Sequence, residues 1–569
     1  MEKQAGISEQ IEESFKASNL THMLSVSGSH TTYIIIGATY LFSKSKLAKR
    51  WTYIFTILIL IFLMFITGFS STVVRACLMS IIMIGANLVY RKSDIVTNIS
   101  LSLLILLLLN PFSITEIGLE LSYLGTIGIV LLNKNIKDFL IKIKLNKKIA
   151  EILSITFSAQ IMIMPIMAYT FNTISLTFFI SNFFAGPILG LDIILGFITI
   201  FISLIAFKLA KMMAVILNLG LEILIYISDI TAKLPFSTII IKTPYLISII
   251  FIYLFILTAN YLYTLYILKN PLRRFQKRLL KELNLKTFKK ILCTILLAIL
   301  IFNFCITEYN KALKELKIYF IDVGQGDSTL VVTPNLKTVL IDGGEEKNIL
   351  VNYLLDRRIK TIDYILISHF DSDHSNGLID VIQKLDVKNI LISKQAYYSE
   401  EYKNIVQIIN KRKINTKFVQ QGDILKIDKN VEIKIMYPPE ELEYEDLNNN
   451  SVVAKLKYIN FSILFTGDIE KSEEKILEKY KDTNELNSTV LKISHHGSKT
   501  SSSEEFLKKI SPQIALIGVG KNNKFGHPNV EVIERLKHIN CKIYRTDKMG
   551  EITIKVNKKG KIWINKMLN

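Results

Sequence analysis

Cysteine is scarce: four in 569 residues. Cys77, Cys293, Cys305 and Cys541 show no close pairing motif and three of them lie in apolar stretches, which points away from both a disulfide framework and a thiolate metal site. The start has no basic stretch followed by an apolar run. Residues 1–21 are polar and carry Glu2, Glu9, Glu12 and Glu13, which is not the pattern of a secretory signal peptide. No Gly-rich loop ends in Lys-Ser or Lys-Thr, so any ATP-driven step needs a separate motor. There is no internal repeat and no low-complexity linker, and no histidine occurs from 375 to 494.

What is present divides the chain in two. Half of all residues are hydrophobic and the mean hydropathy is +0.34, both high for a soluble protein. Long apolar segments cause this, at roughly 23–42, 51–69, 71–90, 95–109, 117–132, 150–171, 174–206, 212–232, 245–268 and 291–306. Most approach the ~20 residues that cross a bilayer. The remainder, from 307, has ordinary globular composition. The predicted organisation is an extracellular N-terminal segment (1–21), a polytopic α-helical membrane domain (22–306) and a C-terminal domain (307–569).

The net charge of +20 suggests nucleic acid at first sight. Residues 1–306, however, carry 28 Lys+Arg against 13 Asp+Glu, and residues 307–569 carry 41 against 36. The larger excess thus lies in short loops of the membrane half, where topology accounts for it. Basic clusters follow the first, third, fifth, seventh and ninth apolar segments, ending with Lys269 to Lys290. Ten spans, with 174–206 counted once, hold every cluster inside and place everything after 306 outside the cell. Two spans broken at Gly186-Pro187 would invert the downstream part.

Several polar groups interrupt the spans. Arg75, Glu120, Asp192, Glu222 and Asp229 would each cost about 2.5–3.5 kcal/mol or more facing lipid, so they belong in the bundle interior, along a hydrated path or at an interface. The first span opens with His22-Met23-Leu24-Ser25-Val26-Ser27-Gly28-Ser29-His30, more polar than helix packing requires. His22, Ser27, His30 and Arg75 are the candidate channel residues.

The chemistry concentrates at Ser368-His369-Phe370-Asp371-Ser372-Asp373-His374. Ile362 to Ile367 reads as a short buried strand, so these ligand-type side chains stand where a core strand ends and a loop opens. Two further strands, Phe461 to Phe465 and Val490 to Ile493, end in Thr466-Gly467-Asp468 and Ser494-His495-His496-Gly497-Ser498. Asp468 suits a bridging carboxylate and one of His495 or His496 a terminal ligand.

His-x-Asp-x-Asp-His, a later Gly-Asp and a later His-His-Gly-Ser resemble the metallo-β-lactamase fold. The usual pattern has histidine at the position of Asp371 and another between this motif and Asp468, where Asn449-Asn450-Ser451 stands instead. Oxygen donors in place of imidazole favour harder ions. Together with Thr67 to Ala76, Asn110-Pro111, Leu121-Ser122-Tyr123, Asn182 and Pro187, and with Phe320-Ile321-Asp322-Val323-Gly324-Gln325-Gly326-Asp327, the chain resembles the ComEC family of natural-competence DNA-uptake channels. Members commonly carry extra membrane segments and an OB-type domain ahead of the competence domain, whereas this chain starts just before His22.

The resemblance implies an αββα sandwich after the membrane domain, matching the alternation of strands (316–323, 330–333, 339–342, 390–393, 514–519) with helices (347–358, 376–385, 471–481, 530–538). It implies two divalent ions, Mn²⁺ favoured over Zn²⁺. His369 and Asp371 hold one; Asp373, His374 and one of His495 or His496 hold the other; Asp468 bridges them. Asp373 is also counted as catalytic. Two such ions polarise a phosphate oxygen and generate hydroxide. Asp342 orients ligands. Asn450, Ser451 and Ser498 contact phosphate or form turns. His527 donates a proton to the leaving oxygen, contacts phosphate or belongs to a plain turn. The expected function is passage of single-stranded DNA across the cell membrane, with an extracellular nuclease degrading the other strand. DNA, lipid and separate DNA-receptor and motor proteins are the expected partners. The alternatives are a channel with an inactive hydrolase, and a membrane-anchored phosphodiesterase without transport.

Overall fold

The computed structural model describes residues 7–24, 28–44, 49–91, 94–267, 285–394, 398–440, 446–478 and 485–568. The chain divides into a helical unit, Met1–Leu297, and a second unit, Ala298–Asn569.

Among the described residues of the first unit, six helices are long and apolar enough to cross a membrane: Lys49–Ile66, Ile117–Lys142, Lys147–Phe171, Phe178–Ser203, Phe207–Lys233 and Leu246–Thr264. Shorter apolar helices occupy Thr72–Leu88, Ile95–Leu109 and Cys293–Ile306, and Gly28–Lys44 forms a further helix. The segment 174–206 contains one continuous helix, Phe178–Ser203, with Pro187 inside it and no break at Gly186. A short strand, Thr173–Ser175, precedes that helix and pairs antiparallel with Thr238–Ile240. Much of the basic run 269–290 and Ser27 lie outside the described residues.

Local chemistry sets the helix ends and contacts. Asp94 caps Ile95–Leu109, its Oδ2 accepting from Thr97 N at 2.8 Å and Thr97 Oγ1 at 2.9 Å. Ile117–Lys142 and Lys147–Phe171 approach closely because Gly128 faces Ser158; a Cβ on Gly128 would stand 2.4 Å from the Ser158 carbonyl. The polar N-terminal segment folds onto the bundle. It forms the helix Glu9–Ala17, and Phe15 and Leu20 are buried with Ala185, Leu189 and Leu224.

The second unit is a four-layer sandwich. An eight-stranded sheet runs in the order Ile562–Lys566, Ile552–Val556, Leu316–Phe320, Thr329–Val332, Thr338–Ile341, Thr361–Leu366, Asp386–Ile392, Asn415–Phe418. A seven-stranded sheet runs Lys542–Arg545, Ile514–Ile517, Val490–Lys492, Phe461–Phe465, Val453–Tyr458, Val431–Tyr437, Ile424–Asp428. Alternate side chains of both sheets, among them Phe320, Ile341, Leu366, Ile433, Leu456, Ile463 and Leu516, form the inner core. Helices Lys471–Glu478, Glu504–Ile510 and Val530–His538 cover the other face of the second sheet through Leu477, Phe506, Leu507, Val532 and Leu536.

In both sheets one part is parallel: the strands starting at Thr338, Thr361, Asp386 and Asn415 in the first, and those starting at Phe461, Val490, Ile514 and Lys542 in the second. Parallel strands need helical crossovers, here Ile349–Asp356, Ser372–Lys384 and Glu400–Arg412 on the first sheet. Their C-terminal ends also share one edge, which is where sites form in such sheets. The helix expected at 376–385 begins at Ser372, so Asp373 and His374 lie in its first turn. That turn is clamped by Gly377: a Cβ there would lie 2.1 Å from the Gly343 carbonyl. Gly377→Ala is therefore expected to lower stability by roughly 1–3 kcal/mol and to displace Asp373 and His374. Thermal melts with and without divalent metal test this, since the metal-induced gain should shrink as well.

Candidate metal centre

Each side chain of the site leaves a strand end. After Ile341 comes Asp342, in a left-handed conformation with φ 57°. Its Oδ1 accepts from Ser368 N at 2.8 Å, and its Oδ2 accepts from Ser368 Oγ at 2.8 Å and lies 3.0 Å from His374 Nδ1. This contact turns His374 Nε2 to the opposite side, a usual way of aiming a metal-ligating imidazole. His496 is aimed likewise: its Nδ1 lies 2.8 Å from the Gly518 carbonyl. His374 Nε2 and His496 Nε2 then face each other at 3.3 Å.

Carboxylates close around them. Asp468 Oδ1 lies 3.2 Å from His374 Nε2 and Asp468 Oδ2 lies 3.2 Å from His496 Nε2. Asp373 Oδ2 is 3.1 Å from His496 Nε2. Asp327 is 3.9 Å from His374 Nε2. Ligand atoms of Asp327, His374, Asp468 and His496 all lie within 4.8 Å of one another, and all four residues are buried. His369 and Asp371 form a neighbouring pair, Nε2 to Oδ2 3.6 Å. The His369 ring centroid lies 4.2 Å from that of His374.

The residues present fit a metal. His369 Nε2 and Asp327 Oδ1 are buried and make no hydrogen bond, a costly state unless something else satisfies them. Two ring nitrogens at 3.3 Å, each also facing carboxylate oxygens, suit one shared cation better than two protons. Electrostatics agree. Burial opposes charge on His374, yet Asp468 and Asp342 hold its pKa well above the ordinary value. For His496 burial is likewise outweighed, by Asp468, Asp327 and Asp373, and the pKa rises to about 10. Burial would raise Asp468, but His496, His374 and Lys492 keep it well below the carboxylate range. Asp373 is lowered against burial by His496 and His374. The pocket demands positive charge.

Two members escaped sequence reasoning. Asp327 follows the first strand on a loop brought down by Gly326, whose φ is 105° and whose Cβ would fall 1.9 Å from the Asp373 carbonyl. Lys492 sits in the strand Val490–Lys492, buried, with its ammonium on Asp327 Oδ2, on Asp468 Oδ1 at 3.1 Å and on the Gly467 carbonyl at 2.8 Å. The signals were visible: an aspartate ending a Gly-x-Gly turn, and a lysine inside an apolar strand.

The pair His495-His496 is resolved in favour of His496. Both residues have positive φ, 49° and 52°, a strain of about 1–3 kcal/mol each. The double left-handed turn sends the two rings apart. His495 does not join the cluster; it is partly exposed, 3.4 Å from Glu470 Oε1 and 5.8 Å, ring to ring, from His527. His527 lies with its ring near-parallel to Phe525, and burial, then His495 and His496, lower its pKa. Asn450 is fully buried and donates to the Asp446 carbonyl at 3.0 Å. Ser451 Oγ accepts from Asp468 N at 3.2 Å, and Ser498 Oγ lies 2.9 Å from Thr500 Oγ1. These three side chains make hydrogen bonds within the loops of the site.

In the membrane unit Arg75 is buried, its Nη1 donating to the Gly118 carbonyl at 2.6 Å, with its guanidinium 5.8 Å from the Tyr123 ring centre. It thus ties Ser71–Leu88 to Ile117–Lys142. His22 lies in the short helix Thr21–Leu24, and His30 lies half-buried in the first turn of Gly28–Lys44.

Lys492→Met leaves Asp327 and Asp468 without their fixed cation. The metal-free protein should lose about 3–5 kcal/mol, as when one partner of a buried ion pair is removed. Added divalent metal should recover much of the loss. Equal destabilisation with and without metal would mark Lys492 as a fold element only; denaturant titrations in chelator and in Mn²⁺ decide.

Residues 2–265 match the family described as Competence protein, and residues 321–521 match the Metallo-beta-lactamase superfamily. The chain is 26% identical to ComE operon protein 3 of Bacillus subtilis (strain 168) over 571 residues, 96% of this chain and 69% of that protein. It is 30% identical to Competence protein ComA of Neisseria gonorrhoeae over 243 residues, 42% of this chain and 32% of that protein. The metallo-beta-lactamase fold protein YhfI from Bacillus subtilis aligns with 43% of this chain and 99% of its own, at 12% identity and TM-score 0.27. The second unit has the metallo-β-lactamase fold, and with a competence domain ahead of it the chain belongs to the ComEC family of competence proteins.

Proposed function

We propose that the membrane unit passes one strand of DNA across the cytoplasmic membrane and that the second unit is an extracellular metal-dependent phosphodiesterase acting on the strand left behind. The family and the metallo-hydrolase fold support a role in DNA uptake. The observation that carries the nuclease reading is the buried Asp327, His374, Asp468 and His496 cluster, with exposed lysines and an aromatic on the loops around it. Lys499, Lys521 and Lys524 are exposed on the loops that carry His496 and His527. Phe525 is 68% exposed, with its ring 6.0 Å from that of His527 at an interplanar angle of 14°. Lysines suit a phosphate backbone and an exposed aromatic suits base stacking.

In this reading Asp373, His374, His496 and Asp468 hold one divalent ion, His369 and Asp371 hold a second, and Asp468 serves both. Divalent ions there would polarise a phosphate oxygen and lower the pKa of a bound water. This donor set has three carboxylates beside three imidazoles, richer in oxygen than the usual pattern with histidine at the position of Asp371, so Mn²⁺ is favoured over Zn²⁺. Lys492 holds Asp468 in place, and His527 donates a proton to the leaving oxygen or contacts phosphate.

The detergent-purified chain should cleave DNA with Mn²⁺. Asp468→Ala should lose more than ~100-fold in rate, beyond what outer partners of a metal contribute. Asp371→Ala should lose metal and activity together, and Asp371→His should move the preference towards Zn²⁺. Unchanged Mn²⁺ binding and cleavage in Asp371→Ala would show that the first ion is held some other way.

The orientation follows from charge: the basic run 269–290 stays inside and the last apolar helix then crosses. With the exposed Cys293 and Cys305 replaced by serine, Lys559→Cys should react with an impermeant maleimide in intact cells. Reaction only after permeabilisation would put this domain inside.

A further inference from the structure

Asp192 stands near the middle of the helix Phe178–Ser203, and Gly220 near the middle of Phe207–Lys233. If these helices span the bilayer, both residues lie close to its midplane, far from either headgroup layer. The Asp192 side chain is buried, the residue keeping only 7% of its exposure, and its Oδ2 makes no hydrogen bond. The neighbouring helix is shaped to receive it: a Cβ on Gly220 would fall 2.0 Å from Asp192 Oδ1 and 2.6 Å from Cγ. Any other residue at 220 would therefore have to push the carboxyl out.

No ion pair involves Asp192 among the described residues, and on Phe207–Lys233 the cations Lys208 and Lys211 lie two or more turns before Gly220. On Phe207–Lys233, Glu222 accepts from Asn218 at 2.7 Å and Asp229 pairs with Lys233 at 2.6 Å. On Gly28–Lys44, Tyr33 lies against Gly190, two residues before Asp192, but its hydroxyl donates to the Gly186 carbonyl at 3.2 Å; His30 is one turn earlier on the same helix. On Lys147–Phe171, Glu151 pairs with Lys137 at 2.8 Å. A bare carboxylate at this depth is unfavourable. A metal cation would need several oxygen ligands, and no second carboxylate is paired with this one. A proton needs only one oxygen.

We propose that Asp192 is a proton-binding site of the membrane unit, held as the neutral acid while the helices Phe178–Ser203 and Phe207–Lys233 are packed. Loss of the proton would put a charge against Gly220 and draw water or a cation into the seam. The packing of these two helices is thereby coupled to protonation from a hydrated path, a role separate from the hydrolase.

Dicyclohexylcarbodiimide, which reacts with protonated carboxyls in apolar surroundings, tests this on the full chain in membranes. At about neutral pH the peptide carrying Asp192 should be modified at least ~10-fold more than that carrying the paired Glu151. Modification should fall as pH rises, and sodium or potassium should not protect. The neutral isostere Asp192→Asn should melt within a few degrees of the wild type. Absence of modification at Asp192 across the pH range, protection by sodium, or a large melting loss in Asp192→Asn would each overturn the proposal, because each marks an ionised carboxylate with a cationic partner.

Discussion

The hydrolase unit depends on gathering carboxylates where water cannot reach them. Asp327, Asp342 and Asp468 are buried, and Asp373 is mostly so. Repulsion between like charges grows as the local dielectric falls, so the arrangement stands only if positive charge stands inside it. Lys492 supplies a fixed charge and His374 and His496 supply ring nitrogens that take up either a proton or a metal. Much of the surrounding backbone serves this arrangement. Asp342, His495 and His496 accept left-handed conformations. Gly326 lets a loop close on the Asp373 carbonyl, and Gly518 leaves room for Asp327, whose Oδ1 would lie 2.1 Å from a Cβ there.

The membrane unit meets the same problem with different means. Arg75 spends its guanidinium on the Gly118 carbonyl and lies near the face of Tyr123, whose hydroxyl is 3.0 Å from Ser102 Oγ. A cation is thus held by backbone carbonyls and an aromatic ring, with Nε making no hydrogen bond and no carboxylate paired with it among the described residues. Small residues do the rest: Gly128 against Ser158 and Gly220 against Asp192 let helices approach where lipid offers no hydrophobic drive for association. The two units therefore differ in how they hold charge. One gathers carboxylates around a buried cluster, the other sets its buried Arg75 on backbone carbonyls and an aromatic ring.

Reading the strands from their apolar runs placed His369, His374 and Asp468 at strand ends, because hydrophobic periodicity and a following polar turn are local signals. Asp327 was harder. Its distance in sequence from the other members hides that Leu316–Phe320 lies in the same sheet as Thr361–Leu366. Lys492 looked like an interruption of a strand, since one residue in an apolar run does not announce a carboxylate partner. Asn450, Ser451 and Ser498 offered hydrogen-bonding groups whose targets, Asp446, Asp468 and Thr500, only folding selects.

The sequence by itself determined the division into an apolar helical half and a mixed α/β half, the family, and the residue types able to hold a metal. All of these rest on composition, run length and short motifs. The tertiary structure decided which of those residues meet. Parallel strands of two sheets end on shared edges, so residues more than a hundred positions apart converge on one cluster. It chose His496 over His495 through two consecutive left-handed residues. It also left Asp192 unpaired against a glycine, because helix rotation and close approach depend on neighbours that lie far away in the chain.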